Sequence, residues 1–493
     1  MTGEGLHATT PQPTTAGRAE VRETHSSVVL LMGEYAYKIK KSVNLGFLDF
    51  RSEATRREDC RREVELNRRI APDVYLDVIE IDGGDGHTYG DGVLMRRMPD
   101  ALRLSTLVAQ GLPVEKHLRA LAELMVRFHA SAERGPQIAA EGTAIGLRRR
   151  WVDNLRESEK FRGELLDPLL HDQISRLALA FVDGRAPFLA ERAAQGLVVD
   201  GHGDLLAEDV FCLSDYPRVL DCLEFDDRLR WLDVLDDIAF LAMDLEHLGR
   251  PDLAEYFLAG YAEASGTPEP LSLRHHYIAY RAFVRAKVLC IQATQGRGDA
   301  AAEADHYARL ALRHMLTGEV RLVLVGGGPG SGKSTLAGGL AKRFGAVLLS
   351  SDAIRQTLAP GGTDRYSAAA KAATYRELLA QARQALHHGL SVIADATWGD
   401  PAMRTLAEQA ASATSSRLVE LECRVPLTVA AERAQQRLDA GTDASEAGAT
   451  VARTLAAQRS PWPSAVGVDT TASTAETLAR AAAAIDGTKV HLR

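Results

Sequence analysis

The run Gly327-Gly328-Pro329-Gly330-Ser331-Gly332-Lys333-Ser334, with Thr335 following, fits the phosphate-loop spacing G-x-x-x-x-G-K-[ST] at every position. Its flanks constrain the fold further. Residues 321–325, Arg-Leu-Val-Leu-Val, are short, apolar and β-branched, the pattern of a buried strand, and residues 336–343 read as a helix. Strand, glycine loop and helix start together build an anion nest. Glycines turn successive N–H groups inward, and the unpaired N–H groups and dipole of the helix start add positive potential at the same place. On this reading the loop cradles a triphosphate, Lys333 reaches the β/γ-phosphates and the Ser334 hydroxyl holds Mg²⁺.

At 493 residues the chain is too long for one core, and its 46% hydrophobic and 25% charged content is that of a globular protein. A formal net charge of −8 argues against a nucleic-acid partner and against a membrane-surface role. No window supplies the roughly eighteen apolar residues of a membrane helix. Cys60, Cys212, Cys222, Cys290 and Cys423 are scattered without metal-ligand spacing, which predicts reduced core residues and a cytoplasmic protein. Residues 1–20, rich in Thr, Gly and Pro, carry no apolar run and read as a loose tail.

Along the chain, residues 27–32 and 35–40 read as strands joined by the turn Gly33-Glu34, and residues 51–70 as a helix ended by Ala71-Pro72. Strand-like pieces at 74–81 and 92–98 flank a Gly-Asp-Gly turn. The period then becomes helical over 105–131 and 151–195. A polar interruption at 198–211 contains His202-Gly203-Asp204, and residues 219–225 read as a short strand carrying Asp221 and Glu224. Helices resume near Asp233 and run to about 316. After a joint at 317–319, strand signals at 346–350, 390–394 and 417–423 alternate with helices, predicting an α/β layer with a mostly parallel sheet and a closing helix at 474–485.

The order of features in residues 21–316 resembles aminoglycoside phosphotransferases and other protein-kinase-like enzymes, which implies an α+β two-lobed domain with an N-lobe at 21–98 and a helical C-lobe at 99–316. Such enzymes need a carboxylate to take the acceptor's proton and oxygen ligands to hold Mg²⁺ over the phosphates. Carried over, Asp204 is the base, Asp209 and Asp221 are the metal ligands, Lys38 contacts the α/β-phosphates and Glu63 is its ion-pair partner. Asp233 and Asp237 match the acidic pair that braces the loop, and His129 matches a structural helix-end histidine. Two positions depart from the pattern. Asp209 stands where the family has Asn, and Glu23-Thr24-His25-Ser26-Ser27 stands where a glycine-rich loop is expected. The strand period puts Lys38 and Lys40 on one face and leaves open whether that face looks into the lobe cleft or out of it.

Residues 320–493 read as the P-loop kinase-like, ATP-binding domain. Asp395 ends the apolar run 392–394, a placement suited to orienting Mg²⁺ or its water. Ser351-Asp352-Ala353-Ile354-Arg355 resembles the D-x-x-R element of small kinases related to polynucleotide kinases, zeta toxins and gluconate kinases. That resemblance makes Asp352 the general base, and Arg355, one turn later, a holder of the acceptor. An ordinary helix start capped by Ser351 or Asp352 also fits. Arg404 is a further candidate for the acceptor side. Arg433 and Arg437 share a helix face that either closes over the phosphates or is simply solvated. Residues 443–463 resemble the lid of the same group.

The whole order is similar to the bacterial bifunctional aminoglycoside phosphotransferase/ATP-binding proteins, and the phrases at 44–50 and 221–225 also resemble that group. The resemblance implies an ATP- and Mg²⁺-dependent phosphotransferase whose partner is a small hydroxyl-bearing acceptor. Two other readings stay open: a P-loop enzyme regulated by an inactive kinase-fold domain, and a toxin-like nucleotide-sugar kinase restrained by its front domain.

Overall fold

The computed structural model describes residues 20–23, 27–43, 50–82, 88–267, 269–358, 367–440 and 460–487. The phrase at 44–49, most of the expected tail, the turn at 84–86, the lid from 443 to 459 and the side chain of Arg437 lie outside what is described. Contacts gather the chain into two compact units, one of residues 1–131 and 201–230, the other of 132–200 and 231–493.

The first unit is built on an antiparallel sheet of β1 (Glu20–Glu23), β2 (Ser27–Met32), β3 (Tyr35–Lys40), β4 (Tyr75–Asp82) and β5 (Thr88–Arg96), in the order β1-β2-β3-β5-β4. Met32 pairs with Tyr35, so Gly33-Glu34 is a two-residue hairpin loop, and Gly33 takes the left-handed φ of 59° that such a loop demands. The helix Glu53–Arg68 covers the sheet with a face that buries Cys60, Val64 and Leu66 but also Glu63 and Asn67. Those two polar groups are a helical turn apart and both act in the site below. After residues 201–209 comes the hairpin of β7 (Val210–Cys212) and β8 (Pro217–Val219).

The strand expected over 219–225 stops at Val219. Asp221 adopts φ 65°, in the left-handed region, so it cannot continue a pleated ladder.

The second unit contains a helical array, including Pro168–Gly184, Val234–His247, Leu271–Thr294 and Ala300–Thr317, with the small ribbon of β6 (Val198–Asp200) and β9 (Trp231–Asp233). It continues into a five-stranded sheet of β10 (Arg321–Gly326), β11 (Val347–Ser350), β12 (Val392–Asp395), β13 (Arg417–Arg424) and β14 (Val466–Asp469). The order is β11-β12-β10-β13-β14, and every pairing is parallel. All six residues of β10 are buried, because helices cover both faces of a parallel sheet. Alternation divides them: Leu322 and Leu324 pack with Tyr375, Leu378 and Trp398 on one side, while Val323 and Val325 pack with Leu336, Leu340 and Ala481 on the other. The fold class expected from the sequence, α+β kinase-like followed by a P-loop α/β layer, is the one observed; β1 and β14 were not anticipated. All five cysteines are free and buried, and among the described residues no helix is long and apolar enough to cross a membrane.

Candidate functional site

In the first unit, β3 turns Lys38 and Lys40 inward together. Lys38 Nζ lies 2.8 Å from Glu63 Oε1 and 2.6 Å from Asp221 Oδ1. Lys40 Nζ lies 2.6 Å from Glu63 Oε2, 2.7 Å from Asp59 Oδ2 and 2.8 Å from Glu224 Oε1. Glu63 therefore bridges both lysines. Asp59, Glu63 and Glu224 offer oxygens within 4.8 Å of one another, a spacing that could hold a metal ion, but the Lys40 ammonium already fills it. Sequence reasoning found Lys38 and Glu63 but not Lys40, Asp59 and Glu224 as a group. The i, i+4 spacing of Asp59 and Glu63 was the available signal.

Burial works against the charge of Lys38, yet Asp221 and Glu63 outweigh it and hold its pKa well above the ordinary value. The Lys38 ammonium in turn keeps the Asp221 carboxyl below its usual range. Burial raises the Glu63 pKa, but Lys38 and Lys40 overcome it, leaving that carboxylate ionised.

Backbone bonds tie the loop at 201–209 to the segment of Asp221. Leu220 N–H donates to Asp209 O at 3.0 Å, and Leu223 N–H to His202 O at 3.1 Å. His202 is fully buried. Its Nδ1 accepts the Asp204 N–H at 3.4 Å, which leaves Nε2–H to donate to Leu220 O at 3.1 Å. The left-handed turn at Asp221 is held from the other side: Asp221 N–H donates to the Tyr75 hydroxyl at 3.0 Å and Cys222 N–H to Asn67 Oδ1 at 2.9 Å. Backbone held in this region is characteristic of functional sites, and Asp tolerates it better than most residues.

Lys38, Asp204, Asp209 and Asp221 line one cleft of about 720 Å³. Burial, then the charges of Asp221, Glu208 and Asp204, push the Asp209 carboxyl well above its ordinary pKa. Asp209 and Asp221 are the carboxylates of this cleft that could offer hard oxygen ligands to a Mg²⁺ ion. Asp233 instead gives both carboxylate oxygens to Arg192, at 2.7 and 2.8 Å, and caps the helix Val234–His247. Residues 24–26, between β1 and β2, lie outside the described residues, so the position of the missing glycine-rich loop is marked only by the pairing of Glu23 with Val28.

In the second unit, β10 runs into Gly327, and the helix Lys333–Phe344 begins at the loop lysine. Gly330 at φ 76° and Gly332 at φ 83° are left-handed, and a Cβ on Gly330 would overlap the Ala430 carbonyl. Only glycine fits there. Lys333 is buried, Ser334 and Thr335 are exposed, and the buried Ser331 Oγ has no partner among the described residues. Thr470, which the sequence did not single out, pins the loop: its hydroxyl donates to Ser331 O at 2.7 Å.

Asp395 ends β12 in register with Val325 of β10 and Ser350 of β11, so the expected metal residue sits at the carboxyl edge of the sheet beside the loop strand. Asp352 follows two residues after Ser350, in the helix Ser351–Leu358, and its Oδ1 lies 2.5 Å from Arg355 Nη1. The two residues thus form one unit. Arg433 donates to Thr470 O at 3.1 Å and lines a cavity of about 350 Å³ with Gly330, Gly332 and Thr335. Arg404, the further candidate for the acceptor side, is buried; it donates to Pro461 O at 3.1 Å and lies over the Trp462 ring.

A lysine–glutamate pair over an acidic loop and a phosphate loop on a parallel sheet together define a protein that joins a kinase-like domain to a P-loop kinase-type domain. Residues 322–462 match the family model described as an AAA domain. Over 461 residues the chain is 45% identical to the uncharacterized proteins Rv2004c of Mycobacterium tuberculosis and Mb2027c of Mycobacterium bovis, with 92% of each chain covered. The chain belongs to the family of these mycobacterial proteins. Among solved structures it is similar to a choline/ethanolamine kinase family protein from Mesorhizobium loti, at 18% identity over 61% of this chain and 88% of that one, with a TM-score of 0.42. It is also similar to a gluconokinase from Sinorhizobium meliloti 1021, at 20% identity over 34% of this chain and 92% of that one, with a TM-score of 0.25.

Proposed function

We propose that this chain is an ATP-dependent phosphotransferase acting on a small hydroxyl-bearing acceptor, with a kinase-fold domain at residues 21–316 and a P-loop domain at 320–493. The observation that carries the reading is the phosphate loop in its strand–loop–helix setting, with Asp395 in register on the neighbouring strand. In the P-loop domain the loop amides and Lys333 bind and orient the triphosphate, Ser334 and Asp395 are the residues to hold Mg²⁺, and Asp352 takes the acceptor's proton. Arg355 holds the Asp352 carboxylate in place until the acceptor arrives. In the kinase-fold domain Lys38, steadied by Glu63, binds the α/β-phosphates, Asp204 is the base, and Asp209 and Asp221 hold the metal. Bound Mg²⁺ neutralises the charge of the phosphate oxygens in either place. Because phosphoryl transfer asks mainly for positioning and electrostatic stabilisation, this set of residues suffices.

One observation favours a second reading, in which the front domain regulates and does not transfer. The 2.6 Å pair between Lys38 and Asp221 satisfies each with the other, and a nucleotide has to break it. Binding stoichiometry separates the two. With a non-hydrolysable ATP analogue and Mg²⁺, two equivalents per chain are expected, one lost in Lys333→Ala and the other in Asp221→Ala. A single equivalent, lost in Lys333→Ala alone, leaves the front domain regulatory, and no binding at all refutes the proposal.

A further inference from the structure

A group of arginines in the second unit lies at the far end of β10 from the phosphate loop. A cavity of about 410 Å³ there is lined by Arg176, Arg185, Arg321 and Arg417, with Glu319 the one carboxylate among the lining residues. Arg321 and Arg417 open β10 and β13 and face each other in register. They share Glu319: its Oε2 is 3.4 Å from Arg321 Nη2 and 3.1 Å from Arg417 Nη1. Glu319 is thus shared between two guanidinium groups, and Asp486 adds a weaker attraction at Arg321.

Arg185 pairs with no acid among the described residues. It is 1% exposed, donates from Nη2 to Thr414 O and to Ser416 Oγ, and its Nε has no acceptor among the described residues; nor has Arg321 Nε. Burial alone, with no carboxylate to offset it, pulls the Arg185 pKa down to about 10. Thr414 closes the helix Pro401–Ala413, so that helix's negative end offsets part of the charge, about half a unit at most. Arg176, exposed at the rim, makes no ion pair among the described residues. His276 adds no negative charge: burial and the nearby Arg185 and Arg150 hold its pKa at about 3, so it stays neutral and accepts the Trp151 indole N–H at 3.1 Å. Ser415, on the same wall, is held at φ 43°. A guanidinium buried without a counter-ion is costly, and forked donors around a cavity of this size are suited to an oxyanion.

We propose that this cavity is a second, non-nucleotide anion site that takes free phosphate or a small phosphate monoester. Arg185 and Arg176 grip the oxygens, and Arg321 and Arg417 supply the field behind them. The site does not depend on phosphotransfer by the chain, and Lys333→Ala should leave it intact.

The test is calorimetric titration of the full chain, pre-saturated with a non-hydrolysable ATP analogue and Mg²⁺, first with inorganic phosphate and then with methyl phosphate. One saturable site is expected, weakened at least tenfold in Arg176→Ala and in Arg185→Gln, with binding of the ATP analogue unchanged. Tighter binding of methyl phosphate than of inorganic phosphate assigns the site to monoesters, and the reverse assigns it to the free ion. Absence of saturable binding to the wild type overturns the proposal, as does wild-type affinity in Arg176→Ala. That variant alters an exposed side chain, so the test stands even if Arg185→Gln does not fold.

Discussion

Replacing Lys40 with methionine isolates the buried charge cluster from the proposed chemistry, because Lys38, the residue proposed to meet the nucleotide, remains. Lys40 is 3% exposed and contacts Asp59, Glu63 and Glu224 within 2.8 Å. Methionine fills the space but leaves three carboxylates facing one another, with only Lys38 against Glu63. Unit charges 4 Å apart interact by about 4 kcal/mol at an effective dielectric near 20. Much of that is offset by desolvation already incurred in the wild type, and removing one partner of a buried ion pair typically costs about 3–5 kcal/mol. We expect that loss at pH 8.

The sign of the pH dependence follows from protonation. Wild-type Lys40 has a raised pKa, so its contribution is complete below pH 10 and constant across the neutral range. In the variant a carboxylate is forced up; burial already raises Glu224. The folded state then holds an extra proton, and stability returns as pH falls, by up to about 2.7 kcal/mol over two pH units for one proton. A chain of two units need not unfold in one step, so the assay is hydrogen exchange of the amides of helix Glu53–Arg68, corrected for intrinsic rates. Exchange should quicken by roughly two to three and a half orders of magnitude at pH 8, by the conversion of about 1.4 kcal/mol per decade, and by much less at pH 6. Unchanged protection at pH 8 would refute the assignment of the cluster as a structural buttress.

Two further substitutions test the phosphate loop. Gly330→Ala forces a side chain into a left-handed position against the Ala430 carbonyl; it should cost about 1–3 kcal/mol by thermal melting and abolish nucleotide binding by the P-loop domain. Thr470→Val removes the hydroxyl bond to Ser331 O; stability should fall by about 1 kcal/mol, with several-fold weaker binding of the ATP analogue, and intact binding would show that Thr470 does not position the loop.

The phosphate loop was legible because its chemistry is local. Glycines, lysine and hydroxyl follow one another, and β10 and the helix after it announce themselves by periodicity. The period of β3 likewise put Lys38 and Lys40 on one side, but which side depends on Glu224, 184 residues away, and on a helix whose buried acids read as surface charge. Asp221 was found by resemblance, yet its left-handed turn was read as strand, because Val219, Leu220, Cys222 and Leu223 around it look like one. Thr470 and Trp462 were missed for a similar reason. Each acts on residues more than forty positions away: Thr470 on Ser331, and Trp462 by donating its indole N–H to Glu420 at 3.0 Å and packing on Arg404. Arg404 was read as a candidate for the acceptor side, and nothing near it in sequence shows the ring that covers it.

β10 has a further bearing on how ligands would influence each other. Its six residues span roughly 20 Å at about 3.3 Å apiece, with guanidinium groups gathered about the first, Arg321, and the amide nest after the last. Negative ligands held at the two extremities would repel by about 1 kcal/mol per pair of unit charges at an effective dielectric near 20. Occupancy of one would then loosen the other about fivefold, reciprocally, and no atom of the strand would have to move.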